Sequence, residues 1–373
     1  MQISSEQDLA EVIRAAQTPL VIRGGGTRPV GRPVAGGVLD VSGLSGITLY
    51  EPAALTVVAK AGTPLAEVEA ALAVEGQRLA FEPSDWRALL GTSGTPTVGG
   101  MVAANSSGPR RVQAGACRDA LLGVRFVDGA GSVVKSGGRV MKNVTGYDLA
   151  KLIAGSWGTL GVISEVSLKV LPAPDQVVSL HLDGLDGGDA VAAMAAALGS
   201  PYEVTAAVHH RGTSPCTRFR LEGFAGSVAY RAGALAKLLA RFGSWHVGDD
   251  PRHQQEEWRR IRDLAPFCGV EGDVWRLAVK PSDAPALIAR SGARDEMIDW
   301  GGALVWLLVA PGTDLRARLG PFAGHATLIR ATPETRARIA PFQPEAPALA
   351  ALSAGLRARF DPKGILNPGL MGG

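Results

Sequence analysis

Apolar residues at helical spacing open the chain. Leu9, Val12, Ile13 and Ala16 follow Ser4 and Gln7, a capping-box pair, and predict a helix over roughly residues 5–17. Pro19 stops it, and Leu20-Val21-Ile22 predicts a short buried strand that runs straight into Gly24-Gly25-Gly26. Leu55 to Ala59 predicts a second strand. Thr63 as N-cap, Pro64 at the first helical position, Leu65, Val68 and Leu72, with Gly76 closing, predict a second helix. Leu121 to Val134 alternates like a hairpin around Asp128-Gly129. Val162 to Leu171 predicts a long strand, and Pro172-Ala173-Pro174 after it is the natural boundary. Beyond it, alanine-rich stretches near 187–199 and 228–243 predict helices, and runs near 216–222, 274–280 and 303–309 predict strands. Strand and helix do not alternate strictly, so the expected class is α+β, with units over 1–172 and 175–373. Phe360 to Gly369 is rich in turn formers and predicts a packed, irregular tail.

Three glycine-rich loops stand out from this pattern: Arg23 to Thr27, Thr97-Val98-Gly99-Gly100, and Gly155 to Ile163. Consecutive glycines cost backbone entropy and add no packing, so they belong where a backbone must come close to something. Bare N–H groups in a tight turn form a nest for phosphate oxygens, which makes the loops candidates for a diphosphate cofactor. Taken alone, the first loop also reads as a tight strand-to-loop turn. A Rossmann site is excluded because G-x-G-x-x-G is absent, and a Walker A site because no Gly-Lys-Ser or Gly-Lys-Thr follows. Thr97 to Gly108 is small-residued throughout, so a flat ligand can approach, with Asn105 and the hydroxyls at its polar edge.

Composition narrows the function classes. Hydrophobic residues make up 46% of 373, ample for a globular core, and the net charge of +3 comes without Lys/Arg runs interleaved with aromatics, which argues against nucleic acid. Cys117, Cys216 and Cys268 form no C-x-x-C pair, so a self-contained iron–sulfur or zinc-ribbon site is excluded and a reduced, cytoplasmic setting is expected. Met1 to Glu6 lacks a basic n-region and an apolar h-region, so no signal peptide is expected. The most apolar windows are too short for a bilayer span, and any membrane contact is expected through a partner.

The runs T-x-G-G-x-x-x-x-N-x-x-G (97–108), K-N-x-T-G-Y-D-L (142–149) and G-S-x-G-T-L-G-V-I (155–163), in this order, resemble the FAD-binding domain of the vanillyl-alcohol oxidase and p-cresol methylhydroxylase (PCMH) superfamily. Trp275-Arg276, Ile298 to Leu304, Gly324 to Thr327 and Asn367-Pro368-Gly369 extend the resemblance over nearly the whole chain, to the FAD-binding E subunits of bacterial glycolate oxidase. The resemblance implies a two-subdomain PCMH-type FAD-binding domain followed by an α+β cap. It also implies a heteromeric complex with a larger flavoprotein subunit and an iron–sulfur subunit, oxidising glycolate to glyoxylate and passing electrons to an acceptor other than NAD. Residue by residue, it implies that Gly24, Gly25, Gly26 and Thr27 hold the pyrophosphate. Thr97, Gly99, Gly100 and Asn105 would line the flavin side, and Gly158, Gly161 and Ile163 the adenine or ribose end.

Two departures from the wider group matter. Members with covalent flavin often carry His in or just after the glycine loop; Thr27 stands here, so noncovalent FAD is expected. Larger 2-hydroxyacid dehydrogenases carry a cluster of histidines with an acid for a metal; the six histidines here show no such motif, and no metal is expected. His209-His210, on a strand, would point to opposite faces. His325 is the candidate for proton chemistry, or a packed or interface histidine. Arg276 is the candidate fork for a substrate carboxylate, or a member of a structural ion pair. Glu256 to Arg262 predicts a helix with mostly solvated charges. Two competing functions remain: a self-sufficient FAD-dependent 2-hydroxyacid dehydrogenase, and an assembly subunit with a vestigial flavin site.

Overall fold

The computed structural model describes residues 1–139, 146–248 and 250–372. Its first helix, Glu6–Ala15, is capped by Ser5, whose hydroxyl accepts the Asp8 N–H, one residue later than the capping box predicts. The strand Leu20–Arg23 follows and pairs in parallel with Gly37–Asp40. A five-stranded antiparallel sheet lies beside it, in the order Ile47–Glu51, Thr56–Lys60, Val162–Lys169, Leu121–Val127, Val133–Gly137. Val57, Phe126 and Leu168 from this sheet pack with Val68 and Leu72 of the helix Leu65–Val74, Met101 of Val98–Ala103 and Ile153 of Leu149–Ile153. Thr63 does not cap the helix that follows it. Its hydroxyl bonds the Gly46 N–H and the Gly46 carbonyl instead, and Pro64 takes the cap position. The predicted hairpin forms, with Asp128 Oδ1 accepting the Ala130 and Ser132 N–H groups in its turn.

The second half is built on an eight-stranded sheet: Trp245–Val247, Gln176–Asp183, Cys216–Gly223, Ala206–His210, Asp295–Asp299, Leu304–Val309, Asp273–Val279 and Gly324–Arg330. The strands near 216–222, 274–280 and 303–309 are among them. Side chains alternate between faces along each strand, and the two faces are unlike. Leu180, Phe219, Leu221 and Ile298 lie under the helices Gly187–Leu198 and Ala225–Leu239. Trp275, Leu277, Val305 and Leu307 lie under Ala284–Ser291 and Leu315–Leu319. The registers Arg220↔Ala206, Arg276↔Trp306 and Asp299↔Leu304 put charged and aromatic side chains on the other face. That face meets the first half.

The meeting is ionic. Arg110 forms a two-pronged pair with Glu222, Arg220 does the same with Glu82 at 2.8 Å, and Arg78 joins Glu222 at 3.1 Å. Arg78, Glu82 and Arg110 belong to the first half, and Arg220 and Glu222 to the second. Burial pushes the Glu82 carboxyl up, but Arg220 and Arg110 outweigh it and hold it at about 2. The Arg220 guanidinium also lies 4.6 Å over the Trp258 ring. Most charges of the helix Pro251–Arg262 are solvated, as expected, with Glu256, Arg259 and Arg260 exposed; the exceptions face the sheet, where Glu257 pairs with Arg218 at 2.5 Å and Trp258 Nε1–H donates to Ser179 Oγ.

Segment 361–372, grouped with the second half by sequence, returns to the first. Leu20 pairs with Leu366, and the Leu20 N–H donates to the Ile365 carbonyl at 2.7 Å. Among the described residues no helix is long and apolar enough to cross a membrane. Glu222→Gln should lower unfolding free energy by roughly 3–5 kcal/mol, because it strands buried guanidiniums without their carboxylate. Urea denaturation at neutral pH measures this; a loss below about 1 kcal/mol would mean that the cluster does not join the halves.

Candidate functional site

The strand Leu20–Arg23 delivers the glycine loop to the wall of a cavity of about 470 Å³, within the ordinary range for small-molecule sites. Gly24, Gly25, Gly26, Thr27, Thr97, Gly99, Gly100, Gly158, Gly161 and Ile163 all line it. The N–H groups of Gly24 to Arg28 donate to no protein acceptor among the described residues, which leaves a run of donors at the cavity wall. Such a run is an anion nest. Gly26 has φ of +68°. Gly25 answers to a different demand: a Cβ there would overlap the Thr95 carbonyl oxygen, and one on Gly94 would overlap the Gly25 oxygen. Gly99 and Gly161 likewise let the walls close up, each with a Cβ position within 2.6 Å of Ala61 or Phe126. Thr97 serves as N-cap of Val98–Ala103, its Oγ1 accepting the Gly100 N–H at 3.3 Å.

Asn367 knits the far wall together. Its Oδ1 accepts the Ile22 N–H at 2.8 Å and its Nδ2 donates to the Trp157 carbonyl at 2.9 Å. Asn367 and Trp157 both line the cavity, and both hold positive φ, +44° and +53°. Among the described residues four arginines line it as well, Arg23, Arg28, Arg32 and Arg336, and no Asp or Glu does. An otherwise apolar cavity with arginine at its wall and a nest of bare N–H groups suits a flat ring joined to a diphosphate.

Asn105 does not line this cavity. Its Oδ1 accepts the Arg118 N–H at 3.0 Å, and its own φ is +47°, so it shapes the loop behind the wall. Lys142 to Thr145 lie outside the described residues. The rest of that run is a helix start, with Asp148 accepting the Lys151 N–H. Arg276 and His325 sit on neighbouring strands of the polar sheet face, His325 opposite Ala278, and neither lines the cavity. Arg276 lies 5.2 Å over Trp300 and 5.9 Å over Trp306. Arg111, from the first half, lies 4.5 Å over the same Trp300. Among the described residues neither arginine has a carboxylate within salt-bridge distance, so Arg276 is not in a structural ion pair. Burial pushes the Arg276 guanidinium down to about 10, with Arg111 adding to the effect. His325 is exposed at its edge strand, and partial burial followed by the Arg276 charge lowers its pKa. His209 and His210 do point apart, to Thr217 Oγ1 and to Asp295, each at 2.9 Å.

Residues 1–137 match the family model of the FAD binding domain. Over its length the chain is 37% identical to glycolate oxidase subunit GlcE of Escherichia coli (strain K12), covering 98% of this chain and 97% of that one. The chain belongs to the GlcE family of FAD-linked oxidoreductases. Glycolate oxidase subunit GlcD of Bacillus subtilis (strain 168) is 33% identical over 43% of this chain and 33% of its own. A D-lactate dehydrogenase of Anaerostipes hadrus is 34% identical over 48% of this chain and 38% of its own. Among solved structures, alkyldihydroxyacetonephosphate synthase superposes with a TM-score of 0.72 at 16% identity, covering 99% of this chain and 76% of that one. That likeness carries the fold alone.

The matched FAD-binding segment supplies most of the cavity's lining. Sequence reasoning missed Arg28, Arg32 and Arg336, which no motif marks. Asn367 stands in the closing Asn367-Pro368-Gly369 run that carries part of the resemblance, but nothing in the sequence marks its bonds to Ile22 and Trp157. Sequence reasoning also missed Asp299, which burial pushes up to about 7 against the pull of its bond from the Trp300 N–H.

Two outcomes follow. Asn367→Ala leaves the Ile22 N–H and the Trp157 carbonyl without partners and should cost roughly 2 kcal/mol or more of stability, read by urea denaturation. In unfolded chain Asp299 ionises near pH 4, whereas in the fold it keeps its proton to about 7. Stability should therefore fall as pH rises across that window, by up to roughly 1.4 kcal/mol per unit, and then level off. Asp299→Asn should flatten the slope; an unchanged slope would assign it to other groups.

Proposed function

We propose that this chain is the FAD-carrying subunit of a heteromeric glycolate oxidase or dehydrogenase, which oxidises glycolate to glyoxylate and delivers electrons to an acceptor other than NAD. The observation that carries the reading is the full-length similarity to a glycolate oxidase subunit, joined to a cavity whose wall offers bare N–H groups and arginines without an acid. FAD, when bound, supplies two-electron acceptance from a 2-hydroxyacid. The backbone of Gly24, Gly25, Gly26 and Thr27 holds its diphosphate. Thr97, Gly99 and Gly100 bound the flavin side, with Asn105 supporting them from behind, and Gly158, Gly161 and Ile163 bound the adenine or ribose end. The binding is noncovalent, a reading supported by a lining that, among the described residues, holds no His, Cys or Tyr to which a flavin is commonly tethered. The partners are a larger flavoprotein subunit and an iron–sulfur subunit, and the setting is cytoplasmic, with any membrane contact made through a partner.

A second reading has its own observation. Among the described residues Arg111 and Arg276 both lie over Trp300 without a carboxylate partner, and Arg276 shares its sheet face with His325. An arginine fork there would orient the carboxylate of a small 2-hydroxyacid, and His325, held neutral by its surroundings, would accept the hydroxyl proton. In that case the chain is a self-sufficient 2-hydroxyacid dehydrogenase. Anaerobic addition of glycolate to the purified chain separates the two. A flavin spectrum that stays oxidised until the partner subunits are added supports the subunit reading. Bleaching by the chain alone, abolished in His325→Ala, transfers the assignment to the second. A chain that binds no FAD, alone or with its partners, would defeat both.

A further inference from the structure

The cavity's backbone nest comes from the first half of the chain, but one of its arginines does not. Arg336 lies in the short helix Pro333–Arg338, beyond the last strand of the eight-stranded sheet, and still lines the cavity. Its guanidinium is held in place: Nη1–H donates to the Pro29 carbonyl, just past the glycine loop, and Nη2–H to the Ile329 carbonyl at 3.5 Å. Its Nε–H is buried with no acceptor among the described residues. Arg28, on the glycine loop itself, repeats the pattern. Nη2–H donates to the Ser84 carbonyl, the guanidinium lies 4.5 Å over Trp86, and Nη1–H is buried without an acceptor. Neither arginine has a carboxylate within salt-bridge distance among the described residues. Among the described residues, the lining they share offers no acid. Burial pushes Arg28 down to about 10 and lowers Arg336 as well. Two fixed, poorly hydrated cations beside a nest of free N–H groups are short of negative charge, and an anion in the cavity would supply it.

We propose that Arg336, with Arg28, is a cofactor-holding residue that grips the diphosphate of FAD, so that bound nucleotide ties the second half of the chain to the glycine loop of the first. This rests on the FAD reading above and adds to it a side-chain clamp drawn from both halves. The clamp assigns each fragment of the cofactor a different dependence: the diphosphate feels Arg336, and the isoalloxazine does not.

The test is binding to full-length protein freed of flavin, titrated separately with FAD, ADP and riboflavin, for the wild type, Arg336→Met and Arg336→Lys. Arg336→Met should weaken FAD and ADP by about ten- to a hundred-fold, the worth of a charge-assisted hydrogen bond, and leave riboflavin unchanged. Arg336→Lys, which keeps the charge and loses the fork, should fall between and stands in if the methionine variant does not fold. Wild-type affinity for FAD and ADP in both variants would overturn the proposal while the FAD reading stands. An equal loss for riboflavin would also overturn it, because the residue would then act on the fold and not on the diphosphate. Wild-type protein that binds none of the three would sink the FAD reading itself.

Discussion

Everything that surrounds the cavity depends on how two guanidinium–carboxylate forks are buried between the halves. Arg110 with Glu222 and Arg220 with Glu82 each take both charges out of water. Such pairs gain little net stability over apolar packing, but a mismatched partner leaves a bare buried charge. They therefore act on geometry: one registration of the eight-stranded sheet against the first half satisfies all of them, and slipped ones do not. With that registration fixed, Trp306 meets Trp86 edge-on at 5.7 Å, and Trp300 Nε1–H reaches the Gly108 carbonyl at 3.0 Å. Arg111 and Arg276 then converge on one indole, and Arg336 arrives beside the glycine loop.

The glycines of that loop respond to two different pressures. Gly25 and Gly94 are small because two stretches of backbone pass against each other, a demand of the fold alone. Gly26 is glycine because of its left-handed backbone at a residue that lines the cavity. A triple glycine is thus an overlap of a packing constraint and a binding constraint on neighbouring positions. Substitution at Gly25 and at Gly26 would fail for different reasons, one by collision and one by strain.

Much of the architecture is legible in the residues because it follows from local periodicity. The strand into the glycine loop, the hairpin about Asp128, and the helices Gly187–Leu198 and Ala225–Leu239 all lie where their patterns put them. The misreadings occur where a distant partner overrides a local preference. Thr63 abandons its cap for Gly46, and on a helix whose charges are otherwise mostly solvated Glu257 turns to Arg218 of the sheet. At the site, small residues in unusual runs were visible as glycine motifs. Arg28, Arg32 and Arg336 were not, because an arginine facing a cavity carries no neighbour pattern that sets it apart from one facing water. Asn105 illustrates the converse: a polar residue inside a recognisable run turns its amide to the backbone of Arg118.

Asn367 binds the Ile22 N–H across a sequence separation of 345 residues. On a ribosome these two partners emerge roughly 20 to 70 seconds apart at ordinary elongation rates. During that interval the first sheet and its helices can assemble from contacts already synthesised, while the glycine loop lacks one of its walls. The loop's donors stay in water until the asparagine arrives. A translation product arrested before residue 367 would carry the glycine loop without the asparagine that joins Ile22 to Trp157 at the cavity's far wall.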